Sequence, residues 1–315
     1  MVDIACIGTL VADVITKTVD RFPQRGKLNL IDSMRLYSGG CAMSAAIDLK
    51  KLGAAVAVLG MVGADGFGQF LTEELQRQGV DTRGIAVHNT ADTSSSVVLV
   101  DSGGERSFLH CLGADGVFTE ADIRYDVIAD ARIVFVGGAL IMPAFDGDGC
   151  AQTLKKAREM GKVTVLDTAW DDAGRWMQAL APALKYVDYF IPSIEEAEML
   201  SGEKELDRIA ACFFDRGVKT VVIKLGSRGC SLWEDKDSPA QFFPAYTNIR
   251  AVDTTGAGDS FCAGFLYGLS QGFSLPDACR TANAVGAHCV MSTGATTGIQ
   301  PYPVIEKFMK EQEEH

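Results

Sequence analysis

The sequence predicts an α/β fold: a mostly parallel sheet covered by helices on both sides, with a small antiparallel β flap attached. Three observations carry this reading. Apolar runs of strand length recur along the 315 residues. Helix-like segments of about 10–15 residues separate them. Two stretches of alternating residues interrupt that rhythm with no helix between their strands.

The first run, VDIACIG (2–8), is continuously apolar, as expected of a strand buried on both faces. AVAVLGMVG (55–63), RIVFVGG (132–138), VTVLD (163–167), YVDYFIP (186–192) and TVVIKLG (220–226) repeat the pattern. Between them stand SAAIDLKKLG (44–53), GQFLTEELQRQG (68–79), GCAQTLKKAREMG (149–161) and EEAEMLSG (195–202), each with helical spacing. Three helices are expected near the end, over 258–272, 275–291 and 304–314. LNLIDSMRLYS (28–38) and SSSVVLVDSGGERSFLH (94–110) read as short alternating strands, the second pair joined by a Ser-Gly-Gly turn. They predict a flap, or lid, formed by about 10–38 and 94–112 of one domain spanning 1–315. Its apolar strands are expected to close over a ligand or to pair with a second copy as a homodimer.

Composition narrows the partners. A net charge of −12 argues against nucleic acid, which demands clustered Lys and Arg. No apolar run reaches membrane-spanning length, and MVDIACIG lacks the basic segment of a signal peptide, so a cytoplasmic protein without a membrane partner is expected. Nine scattered cysteines without a CxxC pair suit reduced thiols, and four dispersed histidines form no metal cluster.

The stretch DTTGAGDSF (253–261) carries the chemistry. A glycine-rich turn entering a helix presents successive backbone N–H groups to an anion, reinforced by the helix dipole. A carboxylate directly after it, Asp259, can take a proton from a hydroxyl nucleophile while the turn holds developing negative charge. Stabilisation of the first helical turn by Asp259 alone is the structural alternative. Walker-type G-x-x-x-x-G-K-[ST] and a G-x-G-x-x-G after the first strand are both absent, which disfavours those nucleotide folds.

DTTGAGDSFCAGFL (253–266) resembles the C-terminal signature of the ribokinase-like, or PfkB, carbohydrate kinases. Gly39-Gly40-Cys-Ala-Met-Ser44, followed by KKLG and GMVGADGFG, resembles the N-terminal one, and the likeness runs to GATTG at 294–298. The resemblance implies a ribokinase-like three-layer fold and an ATP-dependent, magnesium-requiring phosphotransferase acting on a primary hydroxyl of a small sugar, sugar acid or polyol. It makes Asp259 the base, with Gly256, Ala257 and Gly258 as the anion hole. It places Asp13, Gly39, Gly40 and Ser44 at the acceptor, and Arg106 on the flap could meet the acceptor too. Lys224, Gly226, Gly229 and Asn283 fall at the nucleotide, Glu196 at magnesium through water, and Asp253 beside a monovalent cation such as K+.

Two positions depart from the family pattern. Serine stands at 193 and at 44 where asparagine is usual, which loosens the magnesium surroundings and leaves the acceptor open. A nucleoside kinase of the same fold, a regulator that keeps the fold, and a binding protein without turnover are the alternatives. Loss of the GAGD turn would mark the regulator, and the turn is intact.

Overall fold

The structure is a computed structural model describing residues 2–313. Met1, His315 and Glu314, the end of the last expected helix, lie outside the described residues. The strands are β1 (Ile4–Gly8), β2 (Val11–Lys17), β3 (Ser33–Gly39), β4 (Val56–Gly63), β5 (Asp81–His88), β6 (Ser95–Val100), β7 (Arg106–Cys111), β8 (Ile133–Ala139), β9 (Val163–Thr168), β10 (Tyr189–Phe190), β11 (Thr220–Lys224), β12 (Gly229–Trp233) and β13 (Gln241–Pro244). The α-helices are α1 (Cys41–Leu52), α2 (Gly66–Arg77), α3 (Tyr125–Asp130), α4 (Asp148–Glu159), α5 (Trp176–Leu184), α6 (Ile194–Ser201), α7 (Leu206–Phe214), α8 (Ala257–Gln271), α9 (Leu275–Val290) and α10 (Tyr302–Glu313).

Nine strands form the main sheet in the order β13-β12-β11-β10-β9-β8-β1-β4-β5. Pairing is parallel from β5 through β11 and antiparallel for the last two strands. The apolar run of β1 serves both faces. Ile4 and Cys6 join a core with Met43 and Ile47 of α1, Phe265 of α8 and Val285 of α9. Ala5 and Ile7 join the opposite core with Leu154 of α4, Leu184 of α5 and Phe213 of α7. The sheet is thus sandwiched between two helical layers.

Differences from the expected elements have local causes. The run at 186–192 pairs as a strand only at Tyr189–Phe190, flanked by backbone bonds from Asp188 N to Thr164 O and from Ile191 N to Leu166 O, and Pro192 has no N–H to donate. The first flap stretch pairs only from Ser33, and Leu28 and Leu30 stand in solvent. In the flap, ordered β3-β2-β6-β7, the outer pairs are antiparallel and the central β2–β6 pair is parallel. Both central strands leave the same rim of the main sheet, β2 after β1 and β6 after β5, so they run outward together. No helix among the described residues is long and apolar enough to cross a membrane.

Candidate active site

The glycine turn and its carboxylate stand at the start of α8. Gly256 is the N-cap, with φ 77°. A Cβ there would lie 2.6 Å from the Ala295 Cβ, so both the backbone conformation and the close approach exclude a side chain. The first helical turn thus offers N–H groups to the site, although that of Ala257 also donates to the Thr254 carbonyl at 3.3 Å. Asp259, in that first turn, is partly buried. Burial raises its pKa, with Glu196 and Asp13 adding to the rise, while Lys224 and the Cys41 thiol oppose it. A carboxylate of raised basicity suits proton abstraction better than an ordinary one.

Below the turn lies a charged floor. Lys224, at the end of β11, bonds both carboxylate oxygens of Asp167 from β9, at 2.7 and 2.8 Å. Its Nζ would lie 3.5 Å from a Cβ on Gly258, which sets the ammonium beside the anion turn. Burial works against the Lys224 charge, but Asp167, Cys262 and Glu196 outweigh it and raise its pKa. Glu196 forms a capping box with Ser193 and accepts a hydrogen bond from Thr168 Oγ1 at 3.0 Å. Serine at 193 thus acts as the N-cap of α6, a role in which it replaces asparagine without loss. Asp167 escapes sequence reading. Its signal was a carboxylate at the end of a buried strand, at the same rim as Lys224.

A cavity of about 420 Å³ opens from this floor. Gly226, Tyr246, Phe261, Asn283 and Val290 line it, and Lys224, Ala257 and Gly258 close one end. An apolar slot ending in N–H groups and an ammonium fits a purine nucleotide whose phosphates reach the turn. Gly229 lines the same slot, at the start of β12. The Asn283 amide donates to the carbonyls of Phe243 and Pro244, at 3.0 and 3.2 Å, so it fastens β13 to α9 at the wall of the cavity.

The flap supplies the opposite wall. Strand register places Tyr37, Asp13, Ser96 and His110 in one row across its four strands. Ser96 Oγ lies 3.0 Å from His110 Nδ1. A Cβ on Gly39 would lie 2.1 Å from Asp13 Oδ2, so the absence of a side chain is what gives that carboxylate its place. Gly40 is the N-cap of α1. Ser44 does not meet the expectation of an acceptor contact: it is 1% exposed and its hydroxyl is sealed from solvent.

Burial raises the Asp13 pKa to about 6, against the pull of Ser96. An acceptor hydroxyl is held best by the ionised form, so acceptor kcat/KM should fall as pH drops through about 6. The profile of Asp13→Asn should lack that inflection. An unchanged profile in the variant would assign the titration elsewhere.

Arg106 reaches across the site. From β7 it donates to Asp253 Oδ1 at 2.6 Å and to Thr255 Oγ1, both on the segment that leads into the anion turn. Thr255 N and Gly294 N donate to the same Asp253 carboxylate. Burial opposes its charge, but these donors prevail and keep its pKa below the usual value. No group of three His, Cys, Asp or Glu residues that could hold a metal ion occurs among the described residues.

Comparison with known proteins identifies the family. The model of the pfkB family carbohydrate kinases matches residues 1–301. A sugar kinase of uncharacterised specificity from Archaeoglobus fulgidus is 30% identical, covering 80% of this chain and 97% of its own. The 2-dehydro-3-deoxygluconokinase of Bacillus subtilis is 27% identical, with 91% of each chain covered. The Arabidopsis thaliana ribokinase, solved with ribose and ATP, superposes with a TM-score of 0.84 at 23% identity, over 98% of this chain and 99% of its own. The chain belongs to the pfkB family of carbohydrate kinases.

Proposed function

We propose that the protein transfers the γ-phosphoryl group of ATP to a primary hydroxyl of a small sugar, sugar acid or related polyol. The carrying observation is Asp259, a carboxylate of raised basicity set directly on an N–H turn between the Asp13–Gly39 wall and the Lys224 cavity. Asp13 holds and orients the acceptor beside Gly39 and Gly40. Asp259 takes the proton of the attacking hydroxyl, and the N–H groups of the Gly256–Gly258 turn, with Lys224, hold the charge that spreads over the phosphoryl oxygens. Glu196 would hold Mg2+ through water, and the ion, when bound, would supply neutralisation of phosphate charge.

A nucleoside acceptor is the second reading. Phe108, 60% exposed two residues from His110 on the same face of β7, supports it as a surface on which a base could stack. A coupled assay with Mg-ATP over D-ribose, D-fructose, 2-dehydro-3-deoxy-D-gluconate and adenosine separates the two. Absence of acceptor-dependent ADP release across a wide sugar and nucleoside panel, from protein that binds ATP, would overturn both.

Activation by K+ is part of the proposal. Because the Asp253 carboxylate is taken by Arg106 and two N–H groups, the ion would rest on backbone carbonyls of the 253–255 and 294–296 segments. Faster turnover in potassium than in sodium or tetramethylammonium chloride is the expected result; equal rates would remove the ion. A homodimer through the flap is supported by exposed Leu30, Met34 and Leu109, and sedimentation would test it.

A further inference from the structure

Behind the anion turn, α1 carries a carboxyl group that the proposed chemistry does not use. Asp48 is 0% exposed. Its Oδ2 accepts a hydrogen bond from Ser260 Oγ at 2.6 Å, and Ser260 directly follows Asp259. Its Oδ1 has no hydrogen-bond partner among the described residues. The same holds for Ser44 Oγ, one turn earlier on the same helix.

The charged groups around Asp48 do not neutralise it. Lys51, the nearby cation, spends its Nζ on the Thr296 carbonyl at 2.7 Å. Asp259 and Cys289 are the other titratable neighbours, and the Cys289 thiol is turned to the carbonyls of Thr255 and Ala295. An ionised Asp48 would therefore be a buried charge without a paired cation, which protein interiors avoid by neutralising the group.

We propose that Asp48 is held as the neutral acid, accepting from Ser260 at Oδ2, so that the Asp48–Ser260 bond straps the base-bearing turn to the acceptor helix. Neither Asp48 Oδ1 nor Ser44 Oγ is hydrogen-bonded in the structure, so the strap is the Asp48–Ser260 bond alone. Burial also raises the Asp48 pKa well above the ordinary value, against Ser260 and Lys51. The strap makes Asp48 a positioning residue: α1 starts at the acceptor glycine Gly40, and the other end of the strap is the neighbour of Asp259. This positioning role rests on the reading of Asp259 as the base, whereas the protonation state does not.

Two measurements test it on the full chain. Infrared difference spectroscopy at neutral pH should show a protonated-carboxyl stretch that disappears in Asp48→Asn. Asp48→Asn, whose amide oxygen can still accept from Ser260, should keep kcat within about threefold of the parent. Asp48→Ala should lower kcat about 10–100-fold with both KM values unchanged, the pattern of a misplaced base rather than of lost binding. An ionised Asp48 in the spectrum overturns the neutral strap, whether or not the protein is a kinase. Parent-like kcat in folded Asp48→Ala overturns the positioning role. Should Asp48→Ala not fold, Asp48→Asn still decides, because a kcat reduced as far as expected for alanine would mean that the charge, not the hydrogen bond, matters.

Discussion

Asp259→Asn is expected to lower turnover by about 10²–10⁴-fold at saturating acceptor and Mg-ATP, the usual loss on removing a general base. That range corresponds to about 2.7–5.5 kcal/mol of transition-state stabilisation. Asparagine keeps the side-chain volume and leaves the N–H turn in place, so ATP binding should hardly change. The competing reading, in which Asp259 only steadies the first turn of α8, predicts a stability loss of about 0.3–1 kcal/mol and near-normal turnover. Melting temperature and kcat, measured on the same preparation, separate the two. Turnover near that of the parent with a lowered melting point would remove Asp259 from the chemistry.

Gly39→Ala is expected to be the most damaging single methyl group in the acceptor wall. The added Cβ would come within 2.1 Å of Asp13 Oδ2 and 3.0 Å of its Cγ, closer than atoms can approach. Asp13 sits mid-strand, paired with both Tyr37 and Ser96, so its carboxylate has to swing rather than its backbone. Acceptor KM should rise about 10²-fold, the scale of an ångström-sized misplacement, with ATP affinity intact. The double variant Asp13→Ala/Gly39→Ala should be no worse than Asp13→Ala alone, because the methyl group then meets nothing. Additive losses would show that the glycine matters for another reason.

Much of this arrangement is legible in the sequence. Continuous apolar runs mark strands that must be covered on both faces, and β1 is covered on both. The glycine turn with its carboxylate identifies itself, since an N–H turn and Asp259 are adjacent in the chain. What escapes is whatever depends on two distant strands ending at one rim. Asp167 and Lys224 are 57 residues apart and meet only because β9 and β11 flank the two-residue β10. Arg106 and Asp253, 147 residues apart, meet only because the flap folds back over the site. Ser44 differs for the opposite reason: its local motif points at the acceptor, whereas the structure buries its side chain. The amphipathic α7 and the strands β5, β12 and β13 also lack a clear signal, being short or at the sheet edges.

The Arg106 bridge adds an ionic link between two regions that also meet where Tyr37 of the flap lies near Gly294. It ties the flap, which bears Asp13, to the segment that shapes the anion turn. A ligand under the flap that displaces Arg106 withdraws a positive charge from Asp253, and a ligand on the turn that repels Asp253 or attracts Arg106 pulls on the flap. Thermodynamic reciprocity then fixes the outcome: the factor by which nucleotide alters acceptor affinity must equal the factor by which acceptor alters nucleotide affinity. A guanidinium on which both ligands act would thus couple them in one binding equilibrium, with the same sign and size of effect in either direction.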